Sequence, residues 1–315
     1  YDAANNDTTI TAAALKNIGN ATTGAVTVSN AVKIAGSQSD VTAALVTEAS
    51  KVSAASALVT ISDAAYDATN NDNTIAASAL SSIGNATTGA VTVSNAVKIT
   101  GSQSDVTAAL VTEASKVSAG SASVTISDAA YDAANNDTTI TASALKNIGN
   151  ATTGTVTLSN AIRISGTASD VTAALVTEAS KVVAATSGTI ANVTTTVTAS
   201  QGAGYTTISN VNAQFSNGVE DSTSNLTKSA TEISDDLTAI TNDNGAALIT
   251  ISDSAYDGTN NDTSVLATRL SAIGGSTTGT VTVSNAIKIS GSQSDVTAAL
   301  VTASSKVVAG ASGTI

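Results

Sequence analysis

One segment returns along this chain at nearly constant spacing, and a chain built that way does not fold around one central core. Copies of Val26-Thr-Val-Ser-Asn-Ala-Val-Lys-Ile34 begin at Val59, Val91, Val124 and Val156, at intervals of 33, 32, 33 and 32 residues, and again at Ile249 and Val281. A recurrence of this length marks stacked supersecondary units, each too small to bury its apolar face alone. Two coil types alternate. Type A, VTVSNAVKIAGSQSDVTAALVTEASKV, runs from Val26, Val91, Val156 and Val281; type B, VTISDAAYDATNNDNTIAASALSSIGNATTG, runs from Val59, Val124 and Ile249. Tyr1 enters in the middle of a type B coil, and the last residues, Gly313-Thr314-Ile315, stop within a motif, so the chain reads as a segment of something longer.

The side chains suit a thin interior. In 315 residues there are one Phe, no Trp, no Met and five Tyr, so Ala, Val, Ile and Leu must fill a cross-section only a few side chains wide. Each coil carries two periods in succession. Val26, Val28, Val32 and Ile34 alternate with Thr27, Ser29, Ala31 and Lys33, the period of a strand with one buried face. Val41, Ala44 and Leu45 then take helical spacing after Ser39-Asp40 as an N-cap; Ile75, Ala76, Ala79, Leu80 and Ile83 do so after Asp72-Asn73-Thr74, with Gly84 as the residue beyond the helix. The expected fold is a repeat solenoid of about ten coils of ~32 residues, with a parallel β-sheet on one face and a short helix per coil. The alternative is an all-β parallel β-helix.

Residues 1–187 and 249–315 hold the regular coils and 188–248 the divergent ones, in one continuous elongated domain. The divergent stretch contains the single Phe, Phe215, the acidic residues Glu220 and Asp221, and a segment from Ser229 to Ile240 that reads as a capped amphipathic helix with Asp235 and Asp236. The run 131–190 parallels 256–315.

Stacking turns sequence positions into columns. One column reads Asn30, Asp63, Asn95, Asp128, Asn160, Asp253 and Asn285, where an amide or carboxylate can bond the neighbouring coil and alternation keeps Asp from stacking on Asp. Three residues on, Lys33, Tyr66, Lys98, Tyr131, Arg163, Tyr256 and Lys288 place cations next to aromatic faces, a cation–π ladder favourable by roughly 0.5–1 kcal/mol per exposed pair. The outward Thr-x-Ser pairs, such as Thr27 and Ser29, make a hydroxyl-rich strip flanked by Lys and Tyr, which suits a solvated or packing face.

Type B coils carry loops with several oxygen donors: Asp2, Asn5 and Asp7; Asp67, Asn70 and Asp72; Asp132, Asn135 and Asp137; Asp257, Asn260 and Asp262. Such sets can hold Ca²⁺, although the spacing matches no EF-hand, and Asx-turns account for the same residues without a metal. No other cofactor is indicated. Asn-x-Thr triplets at Asn20, Asn85, Asn150, Asn192 and Asn225 permit glycosylation.

Without His or Cys the chain lacks the commonest general base, disulfides and thiolate ligands, and the Asp columns repeat with the coil, so catalysis is not expected. A net charge of -12 is the wrong sign for nucleic acid, and no apolar run approaches the ~18 residues of a membrane span. The GTVTVSNA-like strands and SDVTAALVT-like helices resemble the long repeat tracts of very large secreted cell-surface proteins of cyanobacteria and other aquatic bacteria, of surface-layer, motility-associated and adhesin type. The resemblance covers most of the chain and implies an extracellular or cell-surface location. The expected role is a structural part of a fibre, surface layer or adhesin stalk that self-associates end to end or side by side. The alternative is a module that binds glycan, Ca²⁺ or a partner protein through its sheet face or its divergent coils.

Overall fold

The computed structural model describes residues 9–47, 52–70, 72–112, 117–135, 139–177, 182–260, 264–302 and 307–309. The chain forms two compact units, Tyr1–Ile162 with Ala173–Thr186, and Arg163–Thr172 with Ser187–Ile315. Both are built from short parallel strands alternating with short helices.

In the first unit one five-stranded sheet is ordered Thr9–Thr11, Lys33–Gly36, Leu58–Ile61, Val91–Val93, Val117–Ser118. A second is ordered Thr74–Ala76, Lys98–Gly101, Ser123–Ile126, Val156–Leu158, Val182–Ala184, and Val26–Thr27 pairs with Val52–Ser53. Among the described residues of this unit, neighbours in a sheet are never consecutive strands of the chain. Between Lys33–Gly36 and Leu58–Ile61, for example, lie the helix Gln38–Leu45 and the strand Val52–Ser53 of the other pair. One circuit of the backbone therefore passes through two sheets and a helix.

This corrects the reading of residues 26–34 as one strand. The chain turns a corner between Val28 and Val32, and the two halves enter different sheets: Val26 pairs with Val52, while Ile34 pairs with Ile10 and Val59. Alternation survives the corner because Val28, Val32 and Ile34 are all buried, so the period alone does not reveal it. The corner also resets the register. Steps from type B to type A keep the motif spacing, with Val59 beside Val91, Val124 beside Val156 and Ile249 beside Val281. Steps from type A to type B do not, since Val59 sits beside Ile34 and not Val26.

The helices also start elsewhere than expected. Ser37 and Ser102, not Ser39-Asp40 and its repeat, cap Gln38–Leu45 and Gln103–Leu110, each accepting from the N–H of the Asp three residues on. Thr74–Ala76 is a strand, and the following helix, Ala77–Asn85, contains Gly84 within it. Asp72 is therefore no cap; its carboxylate accepts from the Asp67 N–H and the Asn73 amide.

The interior is aliphatic. Ile34, Ile61, Ile99, Ile126 and Leu158 are fully buried along the strands, and Leu80, Ile83, Leu145 and Ile148 press in from the helices. After the type A helices the chain reverses through a tight turn in which Ala55 has φ 43° and its counterpart Gly120 has φ 54°. The left-handed conformation costs an L-residue roughly 1–2 kcal/mol, partly offset in the unfolded chain by the greater freedom of glycine. Ala55→Gly is accordingly expected to raise stability by about 0.5–1 kcal/mol, and Gly120→Ala to lower it by a like amount. Thermal denaturation of the two variants checks the pair, and shifts of the same sign would refute the explanation. Steric crowding does not intrude, because the nearest atom to a Cβ at 120 is the Val93 oxygen at 3.4 Å.

The second unit contains the strands Arg163–Gly166, Thr189–Val193 and Val211–Phe215 in one sheet, and Val219–Asp221, Ile249–Ile251, Val281–Val283 and Val307–Ala309 in another. Val265–Leu266 pairs with Ile289–Ser290. No helix among the described residues is long and apolar enough to cross a membrane.

Candidate functional site

From Asp63 to Asn285 the Asn and Asp of the first polar column bond the neighbouring turns. Asn95 donates its side-chain amide to the Asp63 carbonyl at 2.6 Å, Asn160 to Asp128 at 2.6 Å and Asn285 to Asp253 at 2.8 Å. The adjoining Ser94, Ser159 and Ser284 hydroxyls donate to the carbonyls of Ile61, Ile126 and Ile251 at 3.0, 2.9 and 3.0 Å. The Asp side chains turn the other way along the chain. Asp63 Oδ2 accepts the N–H of Gln38 at 2.6 Å, and Asp128 Oδ2 that of Gln103 at 2.6 Å. Asp253 takes the Thr223 N–H at 2.8 Å and its hydroxyl at 2.9 Å.

These N–H groups belong to first helical residues, which have no partner within the helix, and a carboxylate is favoured at that end of the helix dipole. The alternation of Asp and Asn thus has a different physical content from avoidance of stacked charge. The carboxylate anchors the preceding helix, and the amide of the next turn anchors the Asp backbone. Asn30 is exposed.

A Thr-Thr-Gly clasp, for which the sequence reading has no role, joins the same turns. Thr87 Oγ1 donates to the Ala57 carbonyl at 2.7 Å, Thr88 N–H to the Ala55 carbonyl at 2.8 Å, and Gly89 lies against the Ala57 backbone. Thr152 and Thr277 repeat the hydroxyl bond on Ala122 and Ala247, and all three threonines are buried. The signal was present in the sequence as Ala-Thr-Thr-Gly after each type B helix, with Ser276 for Ala in the last copy.

In the outward column Lys98 Nζ lies 5.0 Å from the Tyr66 ring centre and Lys288 Nζ 5.2 Å from that of Tyr256, within the range of cation–π attraction. Each pair joins a type B turn to the type A turn after it. Lys33, Tyr131 and Arg163 are half-buried.

Of the oxygen-rich loops, Asp2, Asn5, Asp7, Asp137 and Asp262 lie outside the described residues. In the described parts the carboxylates serve the loop itself. Asp67 accepts from the Thr69 N–H at 2.8 Å and the Asn70 amide at 2.8 Å; Asp132 from Ala134 and Asn135; Asp257 from Thr259 and Asn260. The Thr69 N–H, then the Asn70 amide, hold Asp67 below the usual carboxylate range, and the Thr259 backbone and hydroxyl do the same for Asp257. Among the described residues no group of three acidic side chains is placed to hold a metal ion.

The divergent stretch keeps the alternation of strand and helix, with one shorter circuit. Asp221 reaches the Ala199 N–H across 22 positions, against 25 for Asp63 and Gln38, and also accepts from Ser222 and Asn225. The expected helix from Ser229 to Ile240 is replaced by an antiparallel bridge, Thr227 with Ile233, followed by the helix Asp235–Asp243. Ser234 caps that helix by accepting from Leu237 N–H, and Lys228 pairs with Asp235 at 3.0 Å, which fixes the turn before it. Glu220 is exposed on the strand.

Asn192 is buried, donating to Ser165 and accepting from Ser216, so this triplet is closed to glycosylation in the folded chain. Asn20, Asn85, Asn150 and Asn225 are exposed. No family model, curated protein or solved structure matches the chain.

Proposed function

We propose that this chain is a solenoid of about ten coils of ~32 residues whose role is structural: a segment of an extracellular fibre, surface layer or adhesin stalk. The observation that carries this reading is the recurrence of one set of inter-turn contacts. The Asn–carbonyl bond, the Asp–helix bond and the buried Thr–carbonyl bond return in both units at matching positions of the repeat. Polar groups that an enzyme would aim into a cleft are used here to hold one turn to the next. Such contacts are satisfied equally well by a further turn of the same kind, which is what extension of a repeat array requires.

Self-association follows the same logic. Val26–Thr27 with Val52–Ser53, and Val265–Leu266 with Ile289–Ser290, are sheets of two strands among the described residues, and an unpaired strand edge is a template for another strand. Secretion to the cell surface rests on the resemblance to large bacterial surface proteins, and the scarcity of charge and of large apolar side chains agrees with it.

Negative-stain electron microscopy of the purified chain tests the reading. Concentration-dependent end-to-end or side-by-side assemblies are expected. Monodisperse monomers at every concentration, stabilised by a defined small ligand, would favour the binding-module alternative.

A further inference from the structure

The second unit has a cleft that the regular repeat does not explain. It opens between the short helix Thr223–Leu226, the residues after strand Ile249–Ile251, and the helix Ala267–Ser276, and encloses about 1000 Å³. We propose that it binds an anionic saccharide, held by Arg269.

The type B helices fix the comparison. The position of Arg269 is Ala14, Ala79 and Ala144 in the other copies, so the fold does without a long side chain there. Leu266, on the same wall and 41% exposed, stands where the others have Thr11, Ala76 and Thr141. Two departures from the repeat thus meet in one cleft, and together they add a cation and an apolar surface.

Arg269 is half-buried, and among the described residues its guanidinium makes no ion pair or hydrogen bond. The nearby carboxylate does not answer it. Asp253, which also lines the cleft, makes no ion pair with it among the described residues and accepts instead from the N–H and hydroxyl of Thr223, at 2.8 and 2.9 Å. Ser252 and Ser254, also lining the cleft, have hydroxyls committed to no bond among the described residues. The site therefore offers a planar fork of donors that matches a carboxylate or sulfate, hydroxyls that match sugar hydroxyls, and a Leu side chain for the C–H face of a ring. Its volume lies in the range of small-ligand sites. On a chain of net charge -12, a half-buried cation that makes no ion pair among the described residues is a place for an anion from outside.

This site is independent of whether the chain polymerises, and it is tested separately. The full chain is titrated by calorimetry with a galacturonate hexamer, a sulfated galactan hexamer, a neutral cellohexaose and inorganic sulfate, for the native protein, Arg269→Ala and Arg269→Lys. At least one charged hexamer should bind the native protein, and the charged hexamer that binds better names the anionic group. Arg269→Ala should melt like the native protein, since Ala occupies this position in the other copies, and lose about tenfold or more in affinity; Arg269→Lys should retain part of it. The proposal fails if neither charged hexamer binds, if cellohexaose or inorganic sulfate binds as tightly as they do, or if Arg269→Ala leaves the affinity unchanged.

Discussion

Replacing Gly89 by Ala is expected to lower the stability of the first unit by about 3 kcal/mol or more, while the same change at Gly24 leaves it nearly untouched. Both glycines end an Ala-Thr-Thr-Gly motif. At position 89 a Cβ would lie 2.2 Å from the Ala57 oxygen and 2.7 Å from its carbonyl carbon, and both are backbone atoms that cannot rotate away. At position 24 the nearest neighbour is the hydroxyl of Thr22 at 3.5 Å. Overpacking of a close contact costs roughly 1–3 kcal/mol. Displacing residue 89 also pulls Thr87 from the Ala57 carbonyl, and a buried acceptor left without its donor costs about 1–3 kcal/mol more. Urea denaturation of the two variants decides the matter, and losses of equal size at 24 and 89 would show that Gly serves a local turn and not an inter-turn approach.

That contrast also explains why the register was only half legible. Self-similarity measures the distance between like motifs, whereas pairing follows the physical circuit of the backbone. The two coincide from type B to type A, where Val59 meets Val91, and part company from type A to type B, where Ile34 takes the place beside Val59. What separates them is the corner at Ser29–Val32, through which the apolar alternation runs on undisturbed. Parallel strands alternating with short helices could be read from the change of period. A second strand per coil could not, because Thr74–Ala76 carries a single buried residue, Ile75, and so has no period of its own.

The polar columns show the same division. Their membership was visible in the sequence, since like residues recur at like positions. Their chemistry was not, because Asp63 looks toward Gln38 and Asn95 looks toward Asp63, and a one-dimensional alignment gives no direction to a side chain. The Arg269 cleft lies further still from sequence reading. A single cation in place of Ala stands out only once the fold sets Arg269 in the same cleft as Ser252, Asp253 and Leu266, where it makes no ion pair or hydrogen bond among the described residues.

In the divergent turns the largest expected effect is that of Phe215→Ala, about 3–5 kcal/mol. Phe215 is the one Phe of the chain, is 3% exposed, and stands with its ring centre 6.3 Å from that of Tyr205. The circuit between Ala199 and Asp221 is short, at 22 positions, so fewer side chains are available to fill it. Packing at normal density then favours larger ones, and Phe215 and Tyr205 supply that volume. Tyr205 has a second attachment. Its hydroxyl donates to the Ala168 carbonyl at 3.0 Å and meets the Thr172 hydroxyl at 2.8 Å, where the regular helices have Gln38 bonded to Thr42 and Gln103 to Thr107. Ala168 in place of Gln leaves that threonine to the tyrosine, and the helix there gives way to a π-turn at Thr172–Val176. Tyr205→Phe, which removes the hydroxyl and keeps the ring, should therefore cost only about 1 kcal/mol. Phe215→Leu, which keeps most of the volume, should cost less than Phe215→Ala by roughly 2 kcal/mol. Urea unfolding of the three variants gives the order, and a Phe215→Ala loss no larger than that of Tyr205→Phe would mean that the aromatic pair does not fill the short circuit.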